Sequence, residues 1–188
     1  YTRPARIMIN SKVEIKPALS DIEELNIDDV GKLEAFNTDG LRSLLITMPH
    51  IPNMKEKTLR YPGHASLIQS MIDKNLFDEN NFDQTVAELL SEWKLESNES
   101  EFTVLDINIY GYEKKIHYHL YDETDIFSNS SSMARTTGFT ATATINMLLN
   151  NLWSEKGVFP PEIIGSNDSC INFLFKYLSS RNVKIIQS

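Results

Sequence analysis

Two short segments carry the residue types that bind acidic groups. Thr58-Leu59-Arg60-Tyr61-Pro62-Gly63-His64 reads as an extended segment running into a helix, with Pro62 setting the turn. A helix start presents unpaired backbone N–H groups and the positive end of the helix dipole. A guanidinium beside them makes a receptor for a carboxylate or a phosphate. Arg135-Thr136-Thr137-Gly138, preceded by Ser130, Ser131 and Ser132, has the same form and enters another predicted helix. Two such entrances suggest a ligand with more than one acidic group. A plainer alternative stays open at each: Arg60 or Arg135 in a structural ion pair, His64 only starting its helix, and Thr136 and Thr137 as caps. Asp39, just before Gly40, fits a binding role or an ordinary N-cap equally well.

Other reactive residue types point to less. His117 and His119 stand two apart on an expected strand and so share a face, as metal ligands would. No nearby Cys, Asp or Glu has a convincing ligand spacing, and Lys114 and Lys115 lie alongside. A polar sheet face is the preferred reading, and no metal ligand is assigned. Cys170 reads as a structural thiol on a helix. The seven glycines stand at positions 31, 40, 63, 111, 138, 157 and 165, so no two are separated by a single residue. That excludes the glycine fingerprint of a dinucleotide site, and a phosphate loop of the Walker type is equally missing.

The elements that must position these residues show in the hydrophobic pattern. Residues 5–17 alternate around Asn10-Ser11 as a tight hairpin. The acidic stretch Asp21 to Asp29 reads as a surface connection. Gly31 to Asp39 is expected to be extended, Leu41 to Met48 is an apolar run stopped by Pro49 and Pro52, and residues 54–61 read as a strand. Four helices follow from apolar residues at helical spacing: Leu67, Ile68, Met71 and Ile72; Val86, Leu89, Leu90 and Trp93; Ile145, Leu148, Leu149 and Leu152; and Ile171, Leu174, Phe175 and Leu178. Between the second and third lies the clearest hairpin, Leu105, Ile107 and Ile109 answered across Gly111-Tyr112 by Ile116, Tyr118 and Leu120. A polar linker, Glu96 to Glu101, precedes it. The expectation is one α+β domain over residues 1–188, with a mixed, largely antiparallel sheet covered by helices on one face. The other face is expected to be solvated or paired with another subunit.

Bulk properties narrow the class. Eighteen Lys and Arg against 26 Asp and Glu give a net charge of −8, and no basic stripe offsets it, so nucleic acid is not an expected partner. The single cysteine allows no internal disulfide and fits a reducing compartment, so cytoplasmic placement is expected. No apolar run approaches bilayer length and no signal-peptide pattern opens the chain, so no membrane partner is expected. A start at Tyr1, without an initiator Met, reads as a piece cut from a larger protein.

Taken together, five pieces in order resemble the C-terminal domain of the saccharopine dehydrogenase family, which includes saccharopine reductases and lysine 6-dehydrogenases. They are Tyr1-Thr2-Arg3-Pro4-Ala5; Leu33-Glu34-Ala35-Phe36 with Thr38-Asp39-Gly40-Leu41-Arg42; Thr58 to His64; Met133-Ala134-Arg135-Thr136-Thr137-Gly138-Phe139; and Gly157-Val158 with Pro160-Pro161-Glu162. Each is modest alone, and five in order are specific. The resemblance implies an oxidoreductase using NAD or NADP at the C–N bond of a lysine-derived amino acid. It implies a Rossmann domain outside this chain that holds the cofactor, and a second domain similar in fold to the C-terminal domain of glyceraldehyde-3-phosphate dehydrogenase. That second domain would contact an amino-acid substrate, saccharopine or lysine-like, and build a homodimer. Arg60 and Arg135 would then bind carboxylates, with Arg3 a third, while Thr136, Thr137 and Asp39 supply hydrogen bonds. His64 is the candidate proton carrier, a positioning role being the alternative. Residues 168–188 would be a helix and strand returning to the Rossmann domain or packing locally. Lysine 6-dehydrogenase and carboxynorspermidine dehydrogenase are the competing activities, and a stand-alone binding or dimerisation module without catalysis is the alternative of another class. No turnover is expected from this chain alone.

Overall fold

Asn10 and Ser11 both take left-handed backbone angles, φ 49° and 63°, which is what a two-residue hairpin turn requires to match strand twist. They join β1 (Ala5–Ile9) to β2 (Lys12–Lys16), paired antiparallel with Ile9 opposite Lys12. The computed structural model describes residues 2–96 and 99–188. Tyr1, and Ser97 and Asn98 of the expected linker, lie outside the described residues. The chain divides into two compact units, Tyr1–Leu95 and Glu96–Ser188.

In the first unit a second sheet has the order β3 (Glu23–Ile27), β4 (Gly31–Asn37), β5 (Lys57–Arg60), antiparallel throughout. Strand β3 runs through the acidic stretch expected to be a surface connection. Its charges are answered locally: Glu23 Oε1 lies 2.8 Å from Lys57 Nζ, and Glu24 Oε1 lies 2.8 Å from Lys32 Nζ. Neutralised side chains let the backbone join the ladder, while Ile27 is buried. The apolar run Leu41–Met48 yields one short helix, α1 (Leu44–Thr47). Helix α2 (His64–Asp73) closes over β4, so that Leu19, Phe36, Ala65 and Ile68 form the core, with Met71, Ile72 and Phe77 against it. Helix α3 (Phe82–Glu92) completes the unit.

The second unit is built on the long hairpin of β6 (Phe102–Tyr110) and β7 (Lys115–Glu123), with β8 (Ile185–Gln187) on the far edge of β7. Ile109 opposes Ile116 and Leu105 opposes Leu120, the register that the alternating pattern predicts. Helices α4 (Ser132–Leu149) and α6 (Asp168–Ser179) pack together, with the short α5 (Pro161–Gly165) against α6. Leu120, Leu178 and Val183 are the buried centre, flanked by Phe139, Leu174 and Ile185. Helix α6 and strand β8 thus pack within this unit. Cys170 is a free, buried thiol whose Sγ meets the Leu152 carbonyl.

The α+β class is as expected, but the described strands form three small antiparallel sheets rather than one mixed sheet. Helix α4 also departs from its pattern. Ile145, Leu148 and Leu149 are exposed, and the buried side chains are Ser132, Arg135, Ala143 and Met147. Its inner face mixes Met147 and Phe139 with small and polar residues, a pattern that apolar periodicity does not reveal.

Candidate functional site

The helix start beside Arg60 already holds an anion. Glu34, directly across from Arg60 in the β4–β5 ladder, accepts the Gly63 N–H at 3.0 Å on Oε2 and the Ala65 N–H on Oε1. Gly63 takes φ 100° at this N-cap, a conformation a side chain would strain. Arg60 itself is exposed at the end of β5, and its Nη1 donates to the Leu59 carbonyl at 2.7 Å. His64 lies between aromatic rings, stacked nearly parallel to Phe36 at 6.5 Å between centroids and tilted against Trp93 at 5.3 Å. Burial lowers the pKa of its imidazole, the Arg60 charge lowers it further, and Glu34 only partly opposes them.

Asp39 is engaged by an arginine that the sequence pattern did not single out. Arg6 donates from Nε to Oδ1 and from Nη2 to Oδ2, both at 2.8 Å, and its backbone N–H adds a third bond to Oδ1 at 3.2 Å. Hydrogen bonding from Arg6 holds the Asp39 carboxyl below the usual range, against a smaller effect of burial. The flanking residues are fixed by Glu56, whose Oε2 accepts from Thr38 Oγ1 at 2.5 Å and from the Gly40 N–H at 3.1 Å. A Cβ at Gly40 would run into that carboxylate and displace it from Thr38 and the Gly40 N–H. Arg3 is exposed at the bend ahead of β1.

In the second unit, α4 begins at Ser132, three residues ahead of Arg135. Ser131 is its N-cap, accepting the Ala134 N–H at 3.1 Å, and Glu101 Oε1 accepts the Met133 N–H at 3.0 Å. Arg135 therefore stands one turn inside the helix. It is buried, 8% exposed, and so is its partner Asp122 at 5%. Nε and Nη2 make a forked contact with Asp122 at 3.1–3.3 Å. Nη1 reaches Asp125 Oδ2 at 3.3 Å, and Nη2 also donates to the Arg181 carbonyl at 3.2 Å. The hydrogen bond with Asp122 raises the Arg135 pKa despite burial. Thr136 Oγ1 bonds back to the Ser132 carbonyl at 2.9 Å, while Thr137 is exposed.

The anion-receptive helix starts predicted from the sequence are thus present, and each receives a carboxylate of the chain itself. Sequence reasoning passed over Glu34, Arg6, Glu101 and Asp122, because each acts on a partner at least 13 residues away. Only Glu34 carried a signal, standing in one of the quoted segments without a role. Compared with known protein families, residues 1–183 match the family described as the saccharopine dehydrogenase C-terminal domain.

Two outcomes follow from this geometry. Arg135→Ala takes from the buried Asp122 side chain the partner that satisfies it, and should cost about 3–5 kcal/mol of stability in guanidinium titrations. Arg135→Met with Asp122→Leu should recover much of that loss; equal destabilisation by single and double variants would contradict it. For His64, a lowered pKa means that the unfolded chain takes up the proton more readily. Stability is therefore lost as pH falls through the ordinary histidine value of 6.5. Urea midpoints measured from about pH 7.5 down to 5.5 should fall less steeply for His64→Phe than for the natural protein. An unchanged slope would show that this ring does not titrate against folding.

Proposed function

The chain belongs to the saccharopine dehydrogenase C-terminal domain family, and on that premise we propose that it is the substrate-binding and dimerisation domain of an NAD(P)-dependent oxidoreductase. The reaction is at the C–N bond of a lysine-derived amino acid, with saccharopine the first candidate substrate. The observation that carries this reading is the family match over residues 1–183.

Saccharopine has several carboxylates, and arginine is the side chain suited to hold them. Arg60 is the leading candidate, an exposed guanidinium at a strand end, with Arg3 a second cation of the same unit. His64, held neutral by its surroundings, suits a proton acceptor or a positioning group beside Arg60. Asp39 shapes its loop through Arg6. Arg135 orders α4 through Asp122, which places Thr136 and Thr137 for a supporting role.

Among the described residues, the starts of α2, α4 and α6 do not fit the dinucleotide. Carboxylates of Glu34 and Glu101 sit on the starts of α2 and α4, where a pyrophosphate would need open N–H groups, and Asn167 Oδ1 takes the first amides of α6. Cofactor binding is assigned to a Rossmann domain outside this sequence.

For the homodimer, β6 offers a surface. It is the edge strand of its sheet, and Leu105, Ile107 and Ile109 along one face are 44%, 40% and 48% exposed. A nine-residue edge with an apolar row seeks a partner strand or face.

The test is NAD(P)H absorbance with the full-length protein, given saccharopine and, separately, lysine. Turnover of saccharopine is expected. Turnover of lysine alone would favour the lysine 6-dehydrogenase activity, silence with both from a cofactor-binding protein a different amine such as carboxynorspermidine, and failure to bind cofactor a stand-alone module. Arg60→Ala should raise KM about ten- to hundredfold, the size of a lost charged hydrogen bond. Unchanged KM and kcat would remove Arg60 from the site. Sedimentation should show a dimer that Ile107→Lys converts to monomer, and a monomeric natural protein would overturn the assigned interface.

A further inference from the structure

Strand pairing brings a carboxylate to the two histidines of β7. Asp106 lies directly opposite His119 in the β6–β7 ladder, and His117 is the diagonal neighbour. One oxygen, Asp106 Oδ2, is 2.7 Å from His117 Nε2 and 3.4 Å from His119 Nδ1. The three candidate ligand atoms all lie within 4.8 Å of one another. We propose that Asp106, His117 and His119 form a binding site for one divalent transition-metal ion of the zinc type.

The spacing suits such an ion. Two donors bound to one zinc at about 2.0–2.1 Å stand roughly 2.9–3.4 Å apart at angles of 90–109°. The Asp106–His119 separation, 3.4 Å, falls at the upper end of that range, and the Asp106–His117 pair, at 2.7 Å, is slightly shorter and opens by a few tenths of an ångström to admit the ion. Donor chemistry selects the class: two imidazoles with one carboxylate favour zinc and its neighbours over calcium or magnesium, which prefer oxygen alone. Three protein ligands leave a position open for water or an outside group.

The surroundings hold the three side chains in place. Asn108 Nδ2 donates to Asp106 Oδ1 at 2.7 Å, which leaves Oδ2 as the oxygen turned to both rings. On the other side of His117, Ser188 Oγ lies 3.5 Å from Nδ1, and the backbones of these two residues exchange hydrogen bonds at 2.9 Å. Such outer contacts fix ring orientation in histidine metal sites. His119 is buried, so its ring is set by packing as well. Burial raises the Asp106 pKa, but hydrogen bonds from His117 and His119, the His117 charge and Asn108 outweigh it, so the carboxylate is ionised. Lys115 opens β7 two residues before His117, and its ammonium is turned over the Tyr110 ring.

The experiment is calorimetric titration of the metal-stripped 188-residue chain with zinc chloride, repeated with cobalt(II) and read by visible absorption. One ion per chain is expected. Asp106→Asn and His117→Ala should each weaken uptake at least tenfold and abolish the cobalt spectrum, with circular dichroism unchanged. His119→Ala is avoided because that ring is buried. No uptake by the natural chain, or uptake of equal affinity and spectrum in both variants, would overturn the site.

Discussion

In each unit a carboxylate carried by or next to a strand is presented to the start of a helix. Glu34 on β4 takes two N–H groups at the start of α2, and Glu101, just before β6, takes one at the start of α4. Asp122 on β7 then grips Arg135 one turn further along the same helix. Hydrogen bonds to charged groups contribute about 1.5–3 kcal/mol each, more than neutral ones. They are also directional, so they fix where along the sheet a helix begins, which apolar packing alone leaves loose. The hydrophobic clusters around Phe36 and Leu120 sit beneath these contacts and depend on them for register.

The same arrangement shows what a sequence can and cannot disclose about binding. Helix starts rich in Arg, Gly, Thr and His attract anions on general grounds, and both predicted starts do hold one. Nothing local to Thr58–His64 or Ser130–Gly138 tells whether the anion is a ligand or a glutamate from across the sheet. The answer lies in strand pairing, which sets Glu34 opposite Arg60. Asp106 is similar: eleven residues before His117, it has no ligand spacing until the hairpin register makes it a neighbour.

Local signals are legible where a single physical cause dominates. The Asn10-Ser11 turn, the β6–β7 hairpin and the amphipathic α2 and α6 each follow from turn chemistry or periodicity. The misreadings have causes as definite. Strand β3 hid behind its own charges, because Lys32 and Lys57, which neutralise Glu24 and Glu23, come from later segments. Helix α4, entered where the Ser130–Gly138 segment predicts, runs on through poor helix formers. Thr136, Thr140, Thr142 and Thr144 weaken a helix unless their hydroxyls are satisfied, and here each donates to the carbonyl one turn back.

Those threonines give α4 an unusual outer surface. Along its 18 residues the helix carries a single charge, Arg135, and that charge is buried. The four hydroxyls are turned back on the backbone, and Thr140 and Thr142 are exposed, as are Ile145, Leu148 and Leu149. Water removed from this face would leave none of those four hydroxyls stranded and no ion to desolvate. For α4, drying is therefore cheap: what resembles a polar helix in composition behaves, at its surface, as a greasy one.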